Sequence, residues 1–589
     1  MFFYFLGIPW FIREIKTTLF WIYLWQLKEY HIGRFLDHFR TYKGKKIFLN
    51  FLFLFKIFLL FYALFFYFYH KLVAWQFYAF WIIVLMLFYI FESVKFFIDI
   101  LPKKINPVKN LRFLNGVKKP VLTPKTASLT LVGLIFEIIF LYFLFQKAKF
   151  LYWFSFGLLS FDLLTPFLVS GIVLFFQPFT VLLRNQIIKK AKEKREEFKD
   201  LIVIGITGSY GKTSTKEFLA EILSKKYNVL KTKEHQNSEI GIAQCILNEL
   251  KPEHEIFISE VGAYNRGKIK EVCQFLKPKI GILTGINEQH MATFGSQENI
   301  IEAKFELIEN LPEDGIAIFN GENIYCQELY QKTQPPKKII AIKPYSNIAT
   351  EMNIWTKDIR VEKEFIYFKV FSKDYNSSVP SQSFIGGWTF ENSADFRVNL
   401  LGEKNIENIL MAAACAKEVG MTLGEISEAC QKIKPLPHQM ELKKGKNDLN
   451  IIDATYSANP DGVISHLEYL KIWSQKKIIV MPCLIELGRA SKEVHKKIGK
   501  KITEVCDLAI ITTRDRFKEI VEGALLRLAF AEAIAGKQGF GGREIKKDNI
   551  LFLENPKEIF EKLKDFCQPG DVILLESRVP NQLINFLTQ

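Results

Sequence analysis

The sequence has few cysteines, and no two of them form a Cys-x-x-Cys pair. Eight occur in 589 residues, at positions 245, 273, 326, 415, 430, 483, 506 and 567. This spacing argues against a zinc ribbon and against the dense disulfide framework of a small secreted domain. We therefore expect reduced thiols, as in a cytoplasmic protein.

The last two thirds of the chain lack any excess of positive charge. The formal net charge of +16 lies entirely in residues 1–200, whereas Lys+Arg equals Asp+Glu in residues 201–589. A nucleic-acid-binding domain would need a basic patch in its folded part, so we expect no nucleic-acid partner. The positive charge lies instead between apolar segments, which is typical of cytoplasmic loops in a membrane protein.

Four long segments near the N-terminus contain almost no charge. They are Ile47–Tyr69 with Lys56, Val73–Phe91 with none, Thr126–Phe145 with Glu137, and Phe150–Leu183 with Asp162. Each approaches or exceeds the ~20 residues that a helix needs to cross the hydrocarbon core. Residues 1–183 are therefore predicted to form a multi-pass α-helical membrane domain of about four to five spans. A set of buried core helices is the alternative.

Basic connectors predict the orientation of these spans. Residues 43–46, 103–125 and the segment from Arg184 onward are rich in Lys and Arg, whereas the connectors at 70–72 and 146–149 are short. Two helical hairpins with both basic ends in the cytoplasm satisfy the positive-inside rule. This arrangement predicts a bacterial inner-membrane protein whose remaining domains lie in the cytoplasm, with membrane lipid as a partner.

Charged residues interrupt the apolar regions. The first 26 residues contain Arg13, Glu14 and Lys16, so they could form an extra span or lie in the interface, and they do not resemble a cleavable signal peptide. Lys56, Glu137 and Asp162 inside predicted spans suggest a functional site by default; as the alternative, Lys56 and Glu137 pair with one another or snorkel toward the surface.

A glycine-rich stretch joins a β-branched run to a segment with helical spacing. It contains the seven loop residues Gly208, Ser209, Tyr210, Gly211, Lys212, Thr213 and Ser214. In such a loop, backbone N–H groups bind phosphate, Lys212 adds a positive charge, and the Thr213 hydroxyl can hold Mg²⁺. The general P-loop spacing does not fit, but the shorter Thr-Gly-x-x-Gly-Lys-Thr does. We therefore predict a phosphate-binding loop that can hold Mg²⁺; a glycine turn between a core strand and a helix is the alternative.

Strands and helices alternate after residue 201, which predicts an α/β fold with a parallel sheet. The strand candidates here are Leu201–Ile206, Glu255–Ser259, Ile280–Thr284 and Ile316–Asn320. Because ligands bind at the carboxyl ends of such strands, Glu260 and His290 are candidate ligands of Mg²⁺ near the phosphates.

Several motifs occur in a recognisable order. Thr-Gly-Ser-Tyr-Gly-Lys-Thr-Ser, Glu260-Val-Gly-Ala, His290 with Phe294-Gly-Ser, Ala303-Lys304-Phe-Glu306 and Gly315-Ile-Ala-Ile-Phe-Asn320 follow one another. This series resembles the central domain of the Mur ligases, which build the peptide stem of peptidoglycan. The resemblance continues through Leu401–Asn408, Asp453–Pro460, Glu486-Leu-Gly and His495, and covers about residues 201–589. The later motifs most resemble the members that add D-alanyl-D-alanine.

The resemblance implies an ATP-dependent amide ligase that activates a carboxylate as an acyl phosphate. Lys212, Lys304 and His290 would be catalytic. The family's metal ligands match Thr213, Glu260 and His290, together with Lys304 if it is carbamoylated, since several Mur ligases carry that modification. By the same resemblance Asn320 lies near the adenine, and Asp453 and Asn459 close over nucleotide and incoming amine. The implied partners are a UDP- or lipid-linked peptide precursor of peptidoglycan and an amine such as D-Ala-D-Ala.

These observations divide the chain into four parts. A basic helical linker at 184–200 follows the membrane domain. Residues 201–435 form the P-loop ATP-binding domain, with β-hairpins in an insertion at about 330–400. A hinge at Pro435-Leu-Pro437 leads to a smaller Rossmann-like domain, 436–589. Strand candidates in that domain are Asn450–Asp453, Lys477–Met481, Leu508–Thr512 and Val572–Glu576.

The chain departs from the family pattern at several positions. Gln439 stands where the family usually has Arg, with Lys443 or Arg489 as possible substitutes, and Gly285, Gln289 and Pro482-Cys483 also differ. A membrane domain takes the place of the soluble domain that grips the UDP-sugar, so the acceptor is hypothesised to be membrane-bound. A poly-γ-glutamate-type ligase, a P-loop-powered transporter and an inactive scaffold are the alternatives.

Overall fold

The computed structural model describes residues 2–68, 76–100, 118–148, 150–234, 236–334, 337–342, 353–373, 392–456, 458–535 and 549–588. The chain divides into two compact units, Met1–Leu183 and Arg184–Gln589. The short connector predicted at 70–72 and most of the basic stretch at 103–117 lie outside the described residues.

The first unit is helical throughout its described part, as its long apolar runs predict. Its helices are α1 (Phe2–Leu27), α2 (Ile32–His38), α3 (Tyr42–Phe48), α4 (Phe51–Phe68), α5 (Gln76–Ile100), α6 (Pro124–Lys147) and α7 (Leu151–Phe175). Four helical stretches in the described residues are long and apolar enough to cross a membrane, at Gly44–Phe65, Gln76–Phe97, Pro124–Lys147 and Leu151–Glu196. The ambiguous first 26 residues form one continuous helix.

The buried charges of this unit pair differently from the sequence prediction. Lys56 Nζ lies 2.9 Å from Asp162 Oδ1, and Arg13 also pairs with that carboxylate. Glu137 instead accepts a hydrogen bond from Thr18 Oγ1 at 2.6 Å. Of the alternatives for Lys56 and Glu137, the mutual pair is therefore wrong, because α4 packs on α7 whereas α6 packs on α1.

The segment predicted as a basic helical linker forms the end of helix α8 (Gln177–Glu196), and from Arg184 onward it is part of the second unit. Ala191 is fully buried in that unit's core. Arg195 donates hydrogen bonds to the carbonyl oxygens of Leu276 at 3.2 Å and Phe198 at 2.8 Å. Arg184 Nε lies 3.0 Å from Glu239 Oε1. One face of the segment is therefore packed, whereas most of its other side chains, such as Lys189, Lys192 and Glu193, are exposed.

The second unit begins with a sheet of nine strands within the described residues, in the order β2-β3-β1-β4-β5-β6-β7-β8-β9. The strands are β1 (Ile202–Thr207), β2 (Val229–Lys231), β3 (Ile256–Glu260), β4 (Ile280–Leu283), β5 (Ile316–Asn320), β6 (Lys337–Ile342), β7 (Ile354–Val361), β8 (Ile366–Ser372) and β9 (Asn392–Val398). The strands from β2 to β7 are parallel to their neighbours, which confirms the predicted parallel sheet.

Helices cover both faces of this sheet and bury two apolar clusters. They are α9 (Lys212–Leu223), α10 (Glu239–Glu249), α11 (Lys268–Leu276), α12 (Met291–Phe294), α13 (Gln297–Glu309), α14 (Ile324–Lys332), α15 (Lys404–Glu418) and α16 (Leu423–Cys430). One cluster contains the inner faces of α9 and α15, and the other contains those of α10, α11 and α13.

The strands of the predicted insertion extend the same sheet. β7, β8 and β9 run antiparallel to one another and continue from β6. Their antiparallel pairing is the one that the predicted β-hairpins imply, and Ile366, Phe368 and Val370 face the core shared with α15 and α16. Residues 343–352 and 374–391 lie outside the described part of the chain.

The C-terminal part contains a smaller α/β sheet in the order β10-β11-β15-β12-β13-β14. Its strands are β10 (Glu441–Lys444), β11 (Asn450–Ala454), β12 (Lys477–Met481), β13 (Leu508–Ile511), β14 (Ile550–Phe552) and β15 (Val572–Glu576). Its helices are α17 (Pro460–Leu470), α18 (Ser491–Val505), α19 (Phe517–Ala535), α20 (Pro556–Phe566) and α21 (Asn581–Thr588). Among the described strands of this second sheet, only β10, at one edge, pairs antiparallel with its neighbour.

Candidate active site

The loop between β1 and α9 can be formed only with glycine at two positions. Gly208 has φ +152°, and a Cβ there would lie 2.2 Å from Thr284 Oγ1. Gly211 has φ +76°, and a Cβ there would lie 2.6 Å from Asn408 Oδ1. No side chain caps the start of α9, so its first N–H groups remain available to an anion. The loop therefore fits the predicted phosphate.

Two loop residues are held against the end of β4. The Ser209 N–H donates to the Gly285 carbonyl oxygen at 2.7 Å. The Tyr210 ring lies over Gly285, where a Cβ would be 2.3 Å from Tyr210 Cζ. Burial raises the pKa of the Tyr210 hydroxyl well above its usual range. Gly285, one of the departures from the family pattern, thus makes room for the tyrosine.

Lys212, at the first position of α9, points back along the loop. Its Nζ donates to the Gly208 carbonyl oxygen at 2.8 Å. Burial lowers the pKa of this ammonium group, and the nearby Glu260 carboxylate opposes that shift. Lys212 is thus a buried positive charge placed beside the proposed phosphate position.

Thr213 and Glu260 lie together, as the sequence predicts for residues that share a metal. Thr213 Oγ1 donates to Glu260 Oε2 at 2.9 Å. The other carboxylate oxygen accepts from Asn237 Nδ2 at 3.0 Å, and Lys216 Nζ lies 3.8 Å from Oε2. Asn237 and Lys216 were not predicted, because neither lies in a motif with a characteristic spacing.

His290 and Lys304 complete this cluster of charged groups. His290 has a left-handed backbone conformation (φ 68°) at the start of α12, and its ring lies edge-on to Tyr264 with centroids 5.1 Å apart. Burial is the main cause that lowers the pKa of His290, and the charges of Lys304 and Lys212 add to it. Burial, followed by the charge of Lys212, lowers the pKa of Lys304 to about 7.

The donors present suit Mg²⁺ bound together with phosphates. No three His, Cys, Asp or Glu side chains gather at one point within the ranges that the structure describes. Thr213 and Glu260 would hold one magnesium ion and His290 would help to hold a second, with phosphate oxygens and water completing the shells. Mg²⁺ is commonly held in this way.

Asn320 occupies the end of β5 but is bound by the protein itself. Its Nδ2 donates to the Thr284 carbonyl oxygen and to Glu407 Oε2, both at 2.9 Å. Glu407 also pairs with Lys404 at 2.8 Å, and the Lys404 ammonium lies 5.0 Å from the Tyr210 ring centroid. Asn320 therefore links β5 to α15 beneath the loop.

The C-terminal residues reach the same region through several contacts. Ser214 Oγ donates to Gln439 Oε1 at 3.2 Å, so Gln439 lies at the start of α9. Asn287 Nδ2 donates to Asn459 Oδ1 at 3.0 Å. His290 Nδ1 lies 2.6 Å from Glu486 Oε2. The sequence motifs alone do not predict this contact.

Asp453, at the end of β11, anchors the segment that contains Gln439. Its carboxylate lies 2.7 Å from Lys443 Nζ and 2.8 Å from His438 Nδ1. Burial would raise the pKa of Asp453, but hydrogen bonds from Lys443, Thr455 and His438 outweigh it and lower that pKa. Lys443 also pairs with Glu441 at 3.0 Å, so this candidate substitute for the family arginine is already engaged by two carboxylates.

His495 is a structural residue outside this cluster. It is fully buried, its Nε2 accepts from the Leu484 N–H at 2.9 Å, and its Nδ1 lies against the Ser491 carbonyl oxygen. These contacts fix a neutral tautomer that holds the turn after β12.

The fold and this cluster define a P-loop nucleotide-binding enzyme whose second α/β domain closes on the phosphate loop. The chain belongs to the Mur ligase family: residues 206–416 match the Mur ligase middle domain, and residues 438–578 match the Mur ligase, glutamate ligase domain. Together the two matches span more than half of the chain. Mur ligases are ATP-dependent enzymes that form carbon–nitrogen bonds and use Mg²⁺, which sets the reaction class and cofactors of this chain.

Two curated relatives carry the same name. The chain is 27% identical over 379 residues to UDP-N-acetylmuramoyl-tripeptide--D-alanyl-D-alanine ligase of Bacillus subtilis, covering 64% of this chain and 72% of that protein. It is 28% identical over 299 residues to the Escherichia coli enzyme of that name, covering 51% of this chain and 61% of that protein.

Two solved structures share the fold. MurF from Acinetobacter baumannii has a TM-score of 0.57 at 22% identity, covering 68% of this chain and 80% of that one. MurF ligase from Thermotoga maritima in complex with ADP has a TM-score of 0.55 at 23% identity, covering 68% of this chain and 83% of that one. At these identities the likeness establishes the fold.

Glu486 is expected to act as a positioning residue for His290. Replacing Glu486 by Gln keeps the shape but removes the charge that faces Nδ1, so we expect kcat to fall about 10-fold, as for other groups that orient a metal ligand. Steady-state kinetics should show this loss in kcat with a melting temperature close to the parent. Glu493→Gln, on the exposed face of α18, is the matched control. A Glu486 variant with parental kcat would contradict the role.

Proposed function

We propose that this chain joins D-alanyl-D-alanine to the peptide carboxylate of a UDP-N-acetylmuramoyl-tripeptide or of a lipid-linked form of it. The names of the curated relatives support this substrate pair. The observation that carries the proposal is the 2.6 Å contact between His290 and Glu486, since it brings the motif of the C-terminal domain to the phosphate loop.

The chemistry would proceed in two balanced steps. A carboxylate oxygen of the acceptor attacks the γ-phosphorus of ATP, and ADP leaves with the electron pair of the broken P–O bond. The amine nitrogen then attacks the acyl carbon, phosphate leaves, and the nitrogen loses a proton. Lys212 would neutralise charge on the transferring phosphoryl group from its buried position. Bound Mg²⁺ would supply further positive charge at the phosphate oxygens.

We also propose that residues 1–183 anchor the ligase in the bacterial inner membrane, with the catalytic domains in the cytoplasm. Four helical stretches are long and apolar enough to span a membrane, and their flanking segments are basic. A membrane anchor would hold the enzyme beside acceptors attached to a lipid carrier. This supports a lipid-linked tripeptide as the acceptor.

A substrate panel tests both parts of the proposal. Full-length protein in detergent is given ATP, Mg²⁺, D-Ala-D-Ala and either the UDP-linked or the lipid-linked tripeptide, while phosphate release and product mass are measured. We expect phosphate release only when acceptor and D-Ala-D-Ala are both present, with turnover of the lipid-linked form.

Each alternative gives a different result in this panel. Turnover of the UDP-linked form alone would contradict the lipid-linked acceptor, but it would still agree with the proposed ligase activity. Phosphate release that does not depend on added amine would favour a transporter. Chain extension with glutamate in place of D-Ala-D-Ala would favour a poly-γ-glutamate-type ligase.

A further inference from the structure

The helical unit contains a cavity of about 390 Å³ that the ligase chemistry does not use. Small-molecule sites commonly start at ~300 Å³, so this space suits a headgroup and part of a chain. Helices α1, α3, α4, α5 and α7 contribute to its wall, with Lys118 from the segment before α6. The lining residues are Arg13, Lys16, Thr17, Phe20, Trp21, Ile47, Phe48, Asn50, Leu52, Phe53, Lys56, Glu92, Lys118, Asp162 and Pro166.

The cavity has an excess of positive charge. Four lining side chains are cationic and two are anionic. One of the two carboxylates, Asp162, is already neutralised by ion pairs with Arg13 and Lys56. The other, Glu92, lies 4.0 Å from Lys95, which is outside the lining. Glu14, outside the lining, pairs with Arg13 and balances the second charge of the Arg13–Lys56 pair. Lys16 and Lys118 against Glu92 then leave an excess of one positive charge in the lining, which favours an anionic ligand.

Arg13 carries a donor that the protein does not satisfy. The residue is 9% exposed, and its Nη1 donates to Glu14 and Asp162. Its Nε is buried and has no hydrogen-bond partner among the described residues. Because a buried, unpaired donor of a charged group is costly, an acceptor such as a phosphate oxygen would stabilise it.

The rest of the wall is apolar and leads to exposed apolar surface. Phe20, Trp21 and Phe53 line the cavity with aromatic rings. Leu52 lines it at the start of α4, and its neighbours Leu49 and Phe51 are 67% and 78% exposed. An acyl or prenyl chain attached to an anionic headgroup could leave the cavity along this surface.

We propose that this cavity binds a lipid with a phosphate or diphosphate headgroup, with the headgroup near Arg13, Lys16 and Lys118 and the chain along Leu49, Phe51 and Leu52. The inference extends the membrane part of the proposed function, because such a lipid is the carrier that a membrane-bound acceptor requires. The adjoining basic segments at 43–46 and 118–125 place the cavity, by the positive-inside rule, on the cytoplasmic side.

The test compares three probes on full-length protein in detergent by native mass spectrometry. Farnesyl diphosphate carries both parts of the ligand, farnesol only the chain, and inorganic pyrophosphate only the headgroup. Saturating ADP keeps the phosphate loop occupied, so that a diphosphate bound there is not counted. We expect farnesyl diphosphate to bind at least about 10-fold more tightly than either partial probe, since charged hydrogen bonds add to apolar contact.

Variants that remove positive charges from the cavity wall then test whether the lipid binds there. Lys16→Gln combined with Lys118→Gln is expected to weaken farnesyl diphosphate binding about 10-fold and to leave farnesol unchanged. Neither residue belongs to the buried Arg13–Lys56–Asp162 cluster, so folding should be preserved. Lys147→Gln combined with Lys189→Gln, both exposed and outside the cavity lining, is the matched control with the same loss of two positive charges.

The outcomes separate this inference from the ligase proposal. If farnesol bound as tightly as farnesyl diphosphate, the cavity would be an apolar groove. If pyrophosphate bound as tightly, it would be a site for soluble anions. Either result overturns the inference. Parental affinity in the double variant would overturn it as well. Binding is measured without acceptor or amine, so charge-dependent farnesyl diphosphate binding in a protein that ligates nothing would support the site and contradict only the ligase.

Discussion

Replacing Lys212 by alanine is expected to lower kcat about 1,000-fold, because loss of one preorganised group that stabilises transition-state charge costs up to that factor. Its Nζ lies 2.8 Å from the Gly208 carbonyl oxygen, inside the loop whose two glycines leave room for phosphate. Burial lowers the pKa of Lys212 and the Glu260 carboxylate opposes that shift. A positive charge held in such surroundings acts on the transferring phosphoryl group with little screening by water.

Phosphate release in the presence of acceptor and amine measures this loss, and circular dichroism follows the fold. Lys225→Ala is the matched control, since Lys225 pairs with Glu428 on the surface, away from the loop. We expect that control to keep parental activity. If Lys212→Ala kept more than a tenth of the parental kcat, the loop would not be the catalytic phosphate site.

The phosphate loop could be predicted from sequence because its constraints are local. Gly208 and Gly211 are required by positive φ and by close approach of Thr284 and Asn408. The buried strands were also predicted within one or two residues, since β-branched runs that are covered on both faces leave a continuous apolar pattern. The three-residue strand β2 was missed because so short a run has no readable period.

The contacts that join the two α/β domains could not be predicted from spacing. Ser214 and Gln439 are separated by 225 residues, and His290 and Glu486 by 196. Their meeting depends on how one domain packs on the other, which no local pattern encodes. The family resemblance marked Gln439 as an exception, but only the fold shows that it contacts the first turn of α9 through Ser214.

In the helical unit, charged residues made the structure of the first helix difficult to predict from sequence. Arg13, Glu14 and Lys16 broke the apolar pattern of the first helix and left its structure ambiguous. The fold explains Arg13 and Glu14, because Arg13 pairs with Asp162 of α7 and with Glu14, and Thr165 Oγ1 donates to Glu14 Oε2 at 2.7 Å. A hydropathy argument counts such charges against a buried helix, but here they are paired or hydrogen-bonded, in part to residues of a helix far away in sequence.

Lys304→Ala is expected to lower kcat by about the same factor of 1,000. We expect this loss because the variant cannot form the carbamate that would bind the metal. Lys304 is 2% exposed on α13, with Nζ 3.5 Å from the Ala263 carbonyl oxygen. Burial, then the charge of Lys212, lowers its pKa to about 7, so the amine is neutral above that pH and protonated below it. Only the neutral amine can attack CO₂ to form a carbamate with loss of a proton.

Because only the neutral amine reacts, carbamate formation should increase with pH, and a lysine with a merely structural role would not show this dependence. Protein prepared in ¹³C-bicarbonate should show a carbamate NMR signal that grows as the pH rises through the pKa of Lys304, and the Lys304→Ala variant should lack it. Added acetate or formate should partly restore activity to the variant by supplying the missing carboxylate. Lys270→Ala, on the exposed face of α11, is the control that should keep both signal and activity. A parental protein without the signal, combined with a variant that no carboxylate rescues, would assign Lys304 to packing instead of metal binding, because an ammonium cannot ligate Mg²⁺.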